Sequence, residues 1–203
     1  MFSFVLNGAS GLRITNCFYL SVKMRISMFE SVEKNGHKIT KMPVRCISKR
    51  LLSEIIEASF KVKLVDDYFL FLTGHDAVSY LDLQYGGAAN VLPNPAPGVL
   101  PHLKTLAVLP ENVQNGTGSA LMYVVLEEYT KLNWRSKPDR IANEILYKKF
   151  AKAGNPFFNQ EGIEYLPYYV CHTIKEKHKA LDWMKKQPDS FIQKPEPQHL
   201  LTS

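Results

Sequence analysis

The chain has 203 residues, of which 45% are hydrophobic and 22% charged, and this suffices to bury the core of one soluble domain. Its formal net charge of +6 comes from the N-terminal end, because residues 1–50 hold nine Lys or Arg against two Glu, whereas residues 51–203 are close to neutral. A folded domain without a basic surface excess is not expected to bind nucleic acid, and no apolar run reaches the roughly 20 residues of a membrane-spanning helix.

The N-terminal segment has the composition of a targeting sequence. Its first 29 residues contain no Asp or Glu but include three basic residues among hydroxyl and apolar side chains. This pattern is typical of a mitochondrial transit peptide, and a disordered tail is the alternative. We therefore assign residues 1–45 to a basic N-terminal segment, 46–192 to a folded domain and 193–203 to a C-terminal tail. The expected location is the mitochondrial matrix, with the cytoplasm as the alternative.

The cysteines and histidines show no metal-ligand spacing. The three cysteines are far apart without a CxxC pair, and the six histidines are scattered over residues 37–199. Structural zinc sites need closely spaced ligand pairs, so we expect no metal. Each histidine is expected to be a solvated or hydrogen-bonded surface residue.

Periodicity predicts the elements in the first half of the folded domain. Leu52, Ile55 and Ile56 recur at helical spacing, and Gly86-Gly87 separates two short runs that favour strands. The predicted elements are, in chain order, a helix over 50–60, a short helix or strand over 68–72, a hairpin of strands over 78–85 and 88–92, and a loop over 93–98.

The second half begins with a strongly apolar strand. Leu106, Ala107, Val108 and Leu109 follow one another without a polar residue, as in a buried central strand. The predicted elements are a strand over 103–109, a loop over 110–115, a helix over 116–129, a strand over 132–136, a helix over 139–152, a strand over 165–171 and a helix over 173–186. This order predicts a mixed sheet covered by helices.

A glycine pair marks the entry of the helix that follows this strand. Gly116 and Gly118 allow the backbone to approach a ligand, and the first turn of a helix offers unpaired N–H groups to a phosphate. Neither G-x-G-x-x-G nor G-x-x-x-x-G-K-[ST] is present. A phosphate-binding loop and an ordinary tight turn before a core helix therefore both fit these residues.

Several short motifs resemble the acetyltransferase domain of N-acetylglutamate synthase. They are Gly116-Thr-Gly118, which is similar to the pyrophosphate loop Q/R-x-x-G-x-G/A of the acetyltransferase superfamily, Asp66-Asp-Tyr68, Leu103-Lys104, Trp134-Arg-Ser-Lys137 and Gln187-Pro-Asp-Ser-Phe191. The resemblance spans residues 50–195. It implies an α/β acetyltransferase (GNAT-like) fold, in which a central mixed, mostly antiparallel sheet is flanked by helices.

The resemblance implies acetyl-CoA as the cosubstrate and no metal. Val113 stands where the family has Gln or Arg, and Gln114 would then serve in its place. Backbone N–H groups make most of the grip on pyrophosphate in this fold, so the departure at Val113 does not remove the assignment. The residues implied in cosubstrate binding are Leu106, Ala107, Val108, Gln114, Asn115, Gly116, Thr117 and Gly118.

An acceptor with two carboxylates needs several cations in one pocket. The resemblance places Lys104 beside the thioester. Arg135 and Lys137 are two residues apart on a predicted strand, so they point to the same face. These three side chains form the predicted clamp for a dicarboxylate, and Lys137 replaces an Arg of the family pattern.

The implied chemistry involves residues further along the chain. Asn143 and Tyr147 match family positions once one residue is inserted, and Arg140 then replaces an Asn. Backbone N–H groups of residues 106–108 would polarise the thioester carbonyl, and Tyr147 would supply a proton to the departing thiolate. The catalytic candidates are Tyr147, Lys104 and Asn143, and the substrate-binding candidates are Lys104, Arg135, Lys137, Arg140 and Asn143.

The resemblance implies synthesis of N-acetylglutamate, for arginine synthesis or ammonia disposal, with L-glutamate or a similar anionic amino acid as the acceptor. Two alternatives remain open, a non-catalytic acetyl-CoA-binding module with a regulatory or partner-binding role and an acetyltransferase for another anionic amine. Members of this family carry an amino-acid-kinase domain, for which 203 residues leave no room, so we expect no arginine regulation within this chain. Association with a separate kinase-like subunit, or into a homo-oligomer, is left open.

Overall fold

The computed structural model describes residues 31–138, 147–159 and 162–192. Its strands are β1 (Ser31–Lys34), β2 (His37–Pro43), β3 (Val78–Asp82), β4 (Gly87–Leu92), β5 (His102–Val108), β6 (Leu132–Ser136), β7 (Lys152–Ala153), β8 (Phe157–Phe158) and β9 (Glu164–Val170). Its α-helices are α1 (Lys49–Phe60), α2 (Tyr68–Gly74), α3 (Thr117–Glu128), α4 (Lys148–Phe150) and α5 (Ile174–Lys185). None of these helices is both long and apolar enough to cross a membrane.

The strands form one sheet in the order β1-β2-β3-β4-β5-β6-β9-β7, with β8 paired to β9. Every neighbouring pair is antiparallel except β5 and β6, which are parallel. Parallel strands need a crossover connection, and α3 supplies it here. The prediction of a mixed, mostly antiparallel sheet flanked by helices is confirmed.

Helices cover both faces of the sheet and make separate apolar cores. α1 and α2 bury Leu52 and Leu72 in one core, and α3 buries Leu121 in the other. Successive residues of β5 alternate between these cores, since Ala107 lies with α1 and α2 whereas Leu106 packs against the α3 side. A third apolar cluster joins α5 to β9.

A β-bulge interrupts β5 at Lys104. Successive residues of β4 pair with Thr105 and then with Leu103, which leaves Lys104 without a partner in β4. The extra residue reverses the side-chain alternation, because Leu103 and Leu106 are three residues apart and yet pack into the same core. The bulge therefore gives the Lys104 side chain a direction that the alternation of a regular strand would not give it.

The N-terminal boundary of the folded domain predicted at residue 45 is wrong. The hairpin of β1 and β2 lies before it, and β2 pairs with β3 as an integral strand of the sheet. Asn35 and Gly36, both at positive φ, form the hairpin turn, and an Asn-Gly pair is the sequence signal for such a turn. Residues 1–30 of the N-terminal segment predicted over 1–45, and the predicted tail over 193–203, lie outside the described residues.

The other predicted elements agree with the structure except around residue 150 and at Pro110–Asn115, where a 3-10 helix replaces the predicted loop. The segment over 68–72 is helical and belongs to α2. Of the helix predicted over 139–152, residues 139–146 lie outside the described residues, and the remainder contains one turn, α4, followed by β7. β7 and β8 have two residues each, which is too short for a periodic signal.

Candidate active site between the splayed strands

The parallel strands β5 and β6 separate soon after they begin. They pair at His102 and Asn133 alone, whereas β4 and β5 pair along their whole length. At the closed end, Asn133 N donates to Pro101 O (3.0 Å), and the Asn133 side-chain amide donates to Leu100 O and Pro101 O (3.0 Å each). Beyond this point the two strands form an open wedge.

One edge of β5 lines the wedge with backbone groups. Leu109 N donates to the carbonyl oxygen of Gly86, the residue before β4 (2.9 Å), and N–H groups alternate along an antiparallel strand. Those of Leu106 and Val108 therefore point away from β4 and into the wedge. Val108 N donates to Ser59 Oγ (3.1 Å). Within the predicted segment 106–108, the N–H group of Leu106 is therefore the one available to a carbonyl oxygen in the wedge.

The glycine loop continues from the open end of β5. Gly116 has φ +82°, and a Cβ added to it would meet no atom within 4 Å, so its backbone borders open space. The carbonyl of Gly116 accepts the first hydrogen bond of α3 from Ala120 N (2.9 Å). The N–H groups of Thr117, Gly118 and Ser119 thus precede the helical ladder, which is the arrangement that binds anions at helix N-termini.

The side chains of this loop add little charge or hydrogen bonding to the site. Gln114 and Asn115 are exposed, Val113 is 63% exposed, and Thr117 is buried. His37 Nε2 forms a hydrogen bond with Asn115 O (2.9 Å) and so ties the loop to β2. What this loop offers to a diphosphate is therefore mainly its backbone N–H groups.

A cavity of about 360 Å³ lies between the wedge, the end of α1 and the C-terminal residues. Among the residues predicted from the sequence, it is lined by Lys104, Leu106, Arg135, Lys137 and Tyr147. Among the described residues that line the cavity, Asp189 supplies the carboxylate. Two further predicted residues, Arg140 and Asn143, lie outside the described residues.

Lys104 projects from the bulge into this cavity. Its Nζ donates to Pro188 O (3.2 Å) and lies 4.6 Å from the centre of the Phe71 ring. Removal of water from the ammonium group lowers the pKa of Lys104 to about 7, and the charge of Arg135 acts in the same direction, with partial compensation from nearby carboxylates. Lys104 is therefore present both as ammonium and as amine near neutral pH.

The C-terminal strap, residues 188–192, borders the cavity beside Arg135. The guanidinium group donates to Met184 O and Pro188 O (2.9 Å each) and to Asp189 Oδ1 (3.1 Å). The side chains of Arg135 and Asp189 are 8% and 7% exposed, so this ion pair is buried. Arg135 thus holds the strap in place as well as lining the cavity.

Further contacts fix the strap at both ends. Tyr165 Oη donates to Asp189 Oδ1 (2.5 Å), and Asn159 Nδ2 donates to Asp189 Oδ2 (3.0 Å). Val65 N donates to Ser190 O (3.1 Å), and at the other end Ile192 N donates to Lys63 O (2.9 Å). The motif Gln187-Pro-Asp-Ser-Phe191 marks this segment in the sequence, but the ion pair of its Asp with Arg135 joins residues 54 apart and has no local signal.

Tyr147 lies against aromatic rings at the wall of the cavity. Its ring centroid is 4.8 Å from that of Trp134 and 5.4 Å from that of Tyr168. Burial raises the pKa of the Tyr147 hydroxyl, with a smaller contribution from Tyr168. A phenol with a raised pKa keeps its proton at neutral pH and can therefore donate a hydrogen bond to a group in the cavity.

Two histidines are buried, so the expectation of surface histidines is wrong for them. His102 is 2% exposed and lines the cavity, and His37 is 7% exposed beneath the glycine loop. The sequence signal for His102 is its position at the start of a strand with Leu100 and Leu103 around it. For His37 the signal is its position directly after the Asn-Gly turn of the overlooked hairpin.

Solved acetyltransferase structures share this fold. The chain is similar to a protein assigned to the GNAT acetyltransferase family from Bordetella pertussis, at 13% identity and a TM-score of 0.52, covering 70% of this chain and 99% of that one. It is also similar to Ard1 from Thermoplasma volcanium, at 14% identity and a TM-score of 0.50, covering 66% and 99%. Together with the wedge and the glycine loop, these likenesses define the GNAT class of fold.

Sequence comparison narrows this class to one family. The family model of the N-acetyltransferase domain of N-acetylglutamate synthase matches residues 37–163, and the chain belongs to this family. It is similar to the mitochondrial N-acetylglutamate synthase of Danio rerio, at 29% identity over 78% of this chain and 29% of that protein, and of Homo sapiens, at 28% over 69% and 25%. The chain thus matches less than a third of the length of these relatives, and the resemblance predicted from its motifs is confirmed.

Proposed function

We propose that this chain transfers the acetyl group of acetyl-CoA to the α-amine of L-glutamate or a similar anionic amino acid. The observation that carries the proposal is the convergence of Lys104, Arg135 and Lys137 on one cavity beside the open edge of β5. The cations of Arg135 and Lys137 can hold the two carboxylates of one small acceptor, and Lys104 lies beside them. The names of the relatives, N-acetylglutamate synthases, support glutamate as that acceptor.

The wedge and the glycine loop fit acetyl-CoA. Gly116 borders open space at the start of α3, where N–H groups precede the helical ladder, and the Leu106 N–H group points into the wedge. When bound, acetyl-CoA supplies the thioester from which the acetyl group is taken. The residues that would hold it are those predicted from the sequence in β5 and the loop, and exposed Gln114 and Asn115 are within the same loop.

The residues of the cavity supply the acid and base chemistry of the transfer. The acceptor nitrogen forms a bond to the acetyl carbon as the carbon–sulfur bond breaks, which requires removal of a proton from the amine. Arg135 and Lys137 hold the carboxylates, and Lys104 in its amine form accepts that proton, since its pKa is about 7. The Leu106 N–H group stabilises negative charge on the carbonyl oxygen, and the Tyr147 hydroxyl donates a hydrogen bond to the departing sulfur, whose negative charge is balanced by the proton on Lys104. Arg140 and Asn143 stay predicted substrate contacts.

A non-catalytic acetyl-CoA-binding module is the second candidate. The ion pair of Arg135 with Asp189 favours it, because the guanidinium group already has acceptors within the chain. Val113 in place of Gln or Arg favours it as well. In that case the cavity would stabilise the fold or receive a partner, and the backbone site in the wedge would bind acetyl-CoA without turnover.

Release of coenzyme A thiol by the purified chain tests these readings. We expect acetyl-CoA cleavage that depends on L-glutamate, falls at least about 100-fold in Arg135→Ala and is retained in Arg50→Ala. Arg50, whose side chain is 87% exposed on α1, controls for the loss of a positive charge outside the cavity, and thermal unfolding of Arg135→Ala separates loss of turnover from loss of the fold. Binding of acetyl-CoA without release for any amino acid supports the non-catalytic module. Release with another anionic amine, but not with glutamate, supports the other alternative.

We also propose a mitochondrial matrix location and a place in arginine metabolism. The support is the acid-free composition of the first 29 residues and the mitochondrial names of the relatives. Imaging of the full chain with a C-terminal fluorescent tag, and determination of the N-terminus of the protein recovered from cells, would test the location. Association with a kinase-like subunit or into a homo-oligomer stays a prediction from the resemblance, and light scattering with size exclusion would test it.

A further inference from the structure

His102 lies in the wall of the acceptor cavity, at the closed end of the wedge, and the proposed mechanism does not use it. Its imidazole is edge-on to the ring of Trp183, with centroids 4.8 Å apart. On the other side, its Nδ1 is 2.8 Å from Asn133 Oδ1. His102 and Asn133 are also the pair of residues that joins β5 to β6, so the imidazole of His102 is held at the point where the wedge begins.

Asn133 fixes the tautomer of this ring. Its Nδ2 donates to Leu100 O and Pro101 O, so its Oδ1 must face the imidazole. An amide oxygen only accepts hydrogen bonds, and therefore Nδ1 of His102 carries the hydrogen. Burial is the main cause that lowers the pKa of His102 to about 3, with smaller effects from the charges of Lys104 and Arg135, so the ring is neutral. Its Nε2 is then an unprotonated acceptor.

The Nε2 atom of His102 has no hydrogen bond to any part of the chain that the structure describes. Nδ1 of His37 is a fully buried polar atom without a hydrogen-bond partner, whereas Nε2 of His102 is not one of these atoms. Nε2 of His102 is therefore accessible from the cavity. The cavity wall around it holds Arg135, Lys137 and the partly protonated Lys104, and the carboxylate of its described part, Asp189, is paired with Arg135. Cations suit the carboxylates of an amino acid but repel its ammonium group, whereas a neutral nitrogen lone pair can accept a hydrogen bond from an amine.

We infer that His102 Nε2 accepts a hydrogen bond from the amine of the acceptor amino acid and thereby determines which group of the acceptor faces the thioester. The inference rests on the proposed function and adds a specificity-determining residue to it. The cations of the cavity hold the carboxylates, and His102 distinguishes an amino acid from the corresponding acid that lacks the amine. Asn133 is a positioning residue, because it acts through the tautomer of His102.

The test compares L-glutamate with glutarate, which has the same carboxylates but no amine. Calorimetric titration of both ligands into the full chain with bound coenzyme A should show a preference for L-glutamate of about 10-fold, the value of one hydrogen bond. In His102→Asn, the amide nitrogen replaces Nδ1 and keeps the contact to Asn133, while nothing replaces Nε2. We expect this variant to lose the preference and to bind glutarate as the unmodified chain does.

Two matched variants complete the experiment. His102→Gln places an amide group near the position of Nε2 and should restore part of the preference, whereas His178→Asn, at an exposed position of α5, should change nothing. Equal weakening of both ligands in His102→Asn, with a lower melting temperature, would show a structural role alone and overturn the inference. So would equal affinities of the unmodified chain for the two ligands.

The thiol-release assay separates failure of this inference from failure of the proposed function. Glutamate-dependent turnover with an unchanged KM for glutamate in His102→Asn overturns the inference and leaves the function standing. A glutamate preference in binding that His102→Asn abolishes, without any turnover by the unmodified chain, supports the role of His102 in a site that binds amino acids and overturns the proposed catalysis.

Discussion

The two halves of the candidate site are built from different parts of the polypeptide. The half assigned to acetyl-CoA is backbone, namely the Leu106 N–H group, Gly116 and the first turn of α3. The half assigned to the acceptor is made of side chains, and Arg135 in turn depends on Asp189 of the C-terminal strap. A backbone site tolerates changed side chains, whereas a side-chain site depends on each group and on the partner that positions it.

The largest effect is expected from Asp189→Ala, which acts on the side-chain half. This change leaves the Arg135 guanidinium group, 8% exposed, without its carboxylate. Removal of one partner of a buried ion pair lowers the free energy of unfolding by about 3–5 kcal/mol. The KM for L-glutamate should rise as well, because the strap and Arg135 lose their common anchor. Thermal unfolding and steady-state kinetics measure both quantities.

An exposed ion pair provides the control for this prediction. Asp76 pairs with Arg45 at 3.5 Å, and their side chains are 87% and 69% exposed. Asp76→Ala should therefore change the free energy of unfolding by about 0–1 kcal/mol. If Asp189→Ala does not fold, Asp189→Asn, which keeps hydrogen-bonding groups at this position, serves as the second variant. A loss no larger than that of the Asp76 control would contradict the anchoring role of Asp189.

Lys104→Met should separate the catalytic role of this lysine from its cost to stability. Loss of a general base lowers kcat by about 100-fold or more. The stability effect has the opposite sign, since the folded state disfavours the ammonium form of Lys104. The folded chain holds this lysine at a pKa of about 7, against an ordinary value of 10.5, so between these values the unfolded chain binds more protons. The destabilisation is full below pH 7 and is lost as the pH rises to 10.5.

Thermal unfolding across this pH range checks the sign. Lys104→Met should be more stable than the unmodified chain at pH 7, and the difference should shrink toward pH 10. Lys175→Met, at an exposed position of α5, is the control and should show no such trend. A Lys104→Met chain that is less stable than the unmodified one at every pH would show that the ammonium group stabilises the fold, contrary to the role of burial argued above.

Sequence reasoning found the backbone half of the site more completely than the side-chain half. The strand at residues 103–109 and the glycine pair are contiguous, so their signals lie within one segment of the chain. The structure adds a detail that no sequence pattern shows. Ser59 Oγ accepts a hydrogen bond from Val108 N, so the N–H group of Leu106 is the one that faces the wedge.

The side-chain half was predicted in part, because its contacts join distant segments. Lys104, Arg135 and Lys137 line one cavity, and their roles in binding stay predictions. The anchoring of Arg135 by Asp189 and the burial of His102 depend on tertiary packing, which apolar periodicity does not encode. The fold class followed from the order of elements and the motifs, but β1 and β2 were missed because the basic composition around them resembles that of a tail.

Gly116→Ala tests the backbone half, with an intermediate effect. Gly116 is at φ +82°, and an Ala in the left-handed region costs about 1–2 kcal/mol. Gly36, in the turn between β1 and β2, has φ +79° and equally open surroundings, so Gly36→Ala is a matched control. Both variants should lose similar stability, but only Gly116→Ala should raise the KM for acetyl-CoA. A similar KM change in both variants would assign the effect to the fold and not to the loop.

The smallest effect is expected from Val113→Gln, which restores the side chain usual in the family. Val113 is 63% exposed, so a Gln there would make at best one solvent-exposed hydrogen bond to a phosphate. Such a bond contributes about 0.5 kcal/mol, which lowers the KM for acetyl-CoA about two- to threefold. Val113→Ala, which removes the branched side chain without supplying an amide, should leave this KM unchanged. A tenfold or larger gain from Gln would mean that side chains contribute as much to the acetyl-CoA half as the backbone does, and the contrast between the two halves would no longer hold.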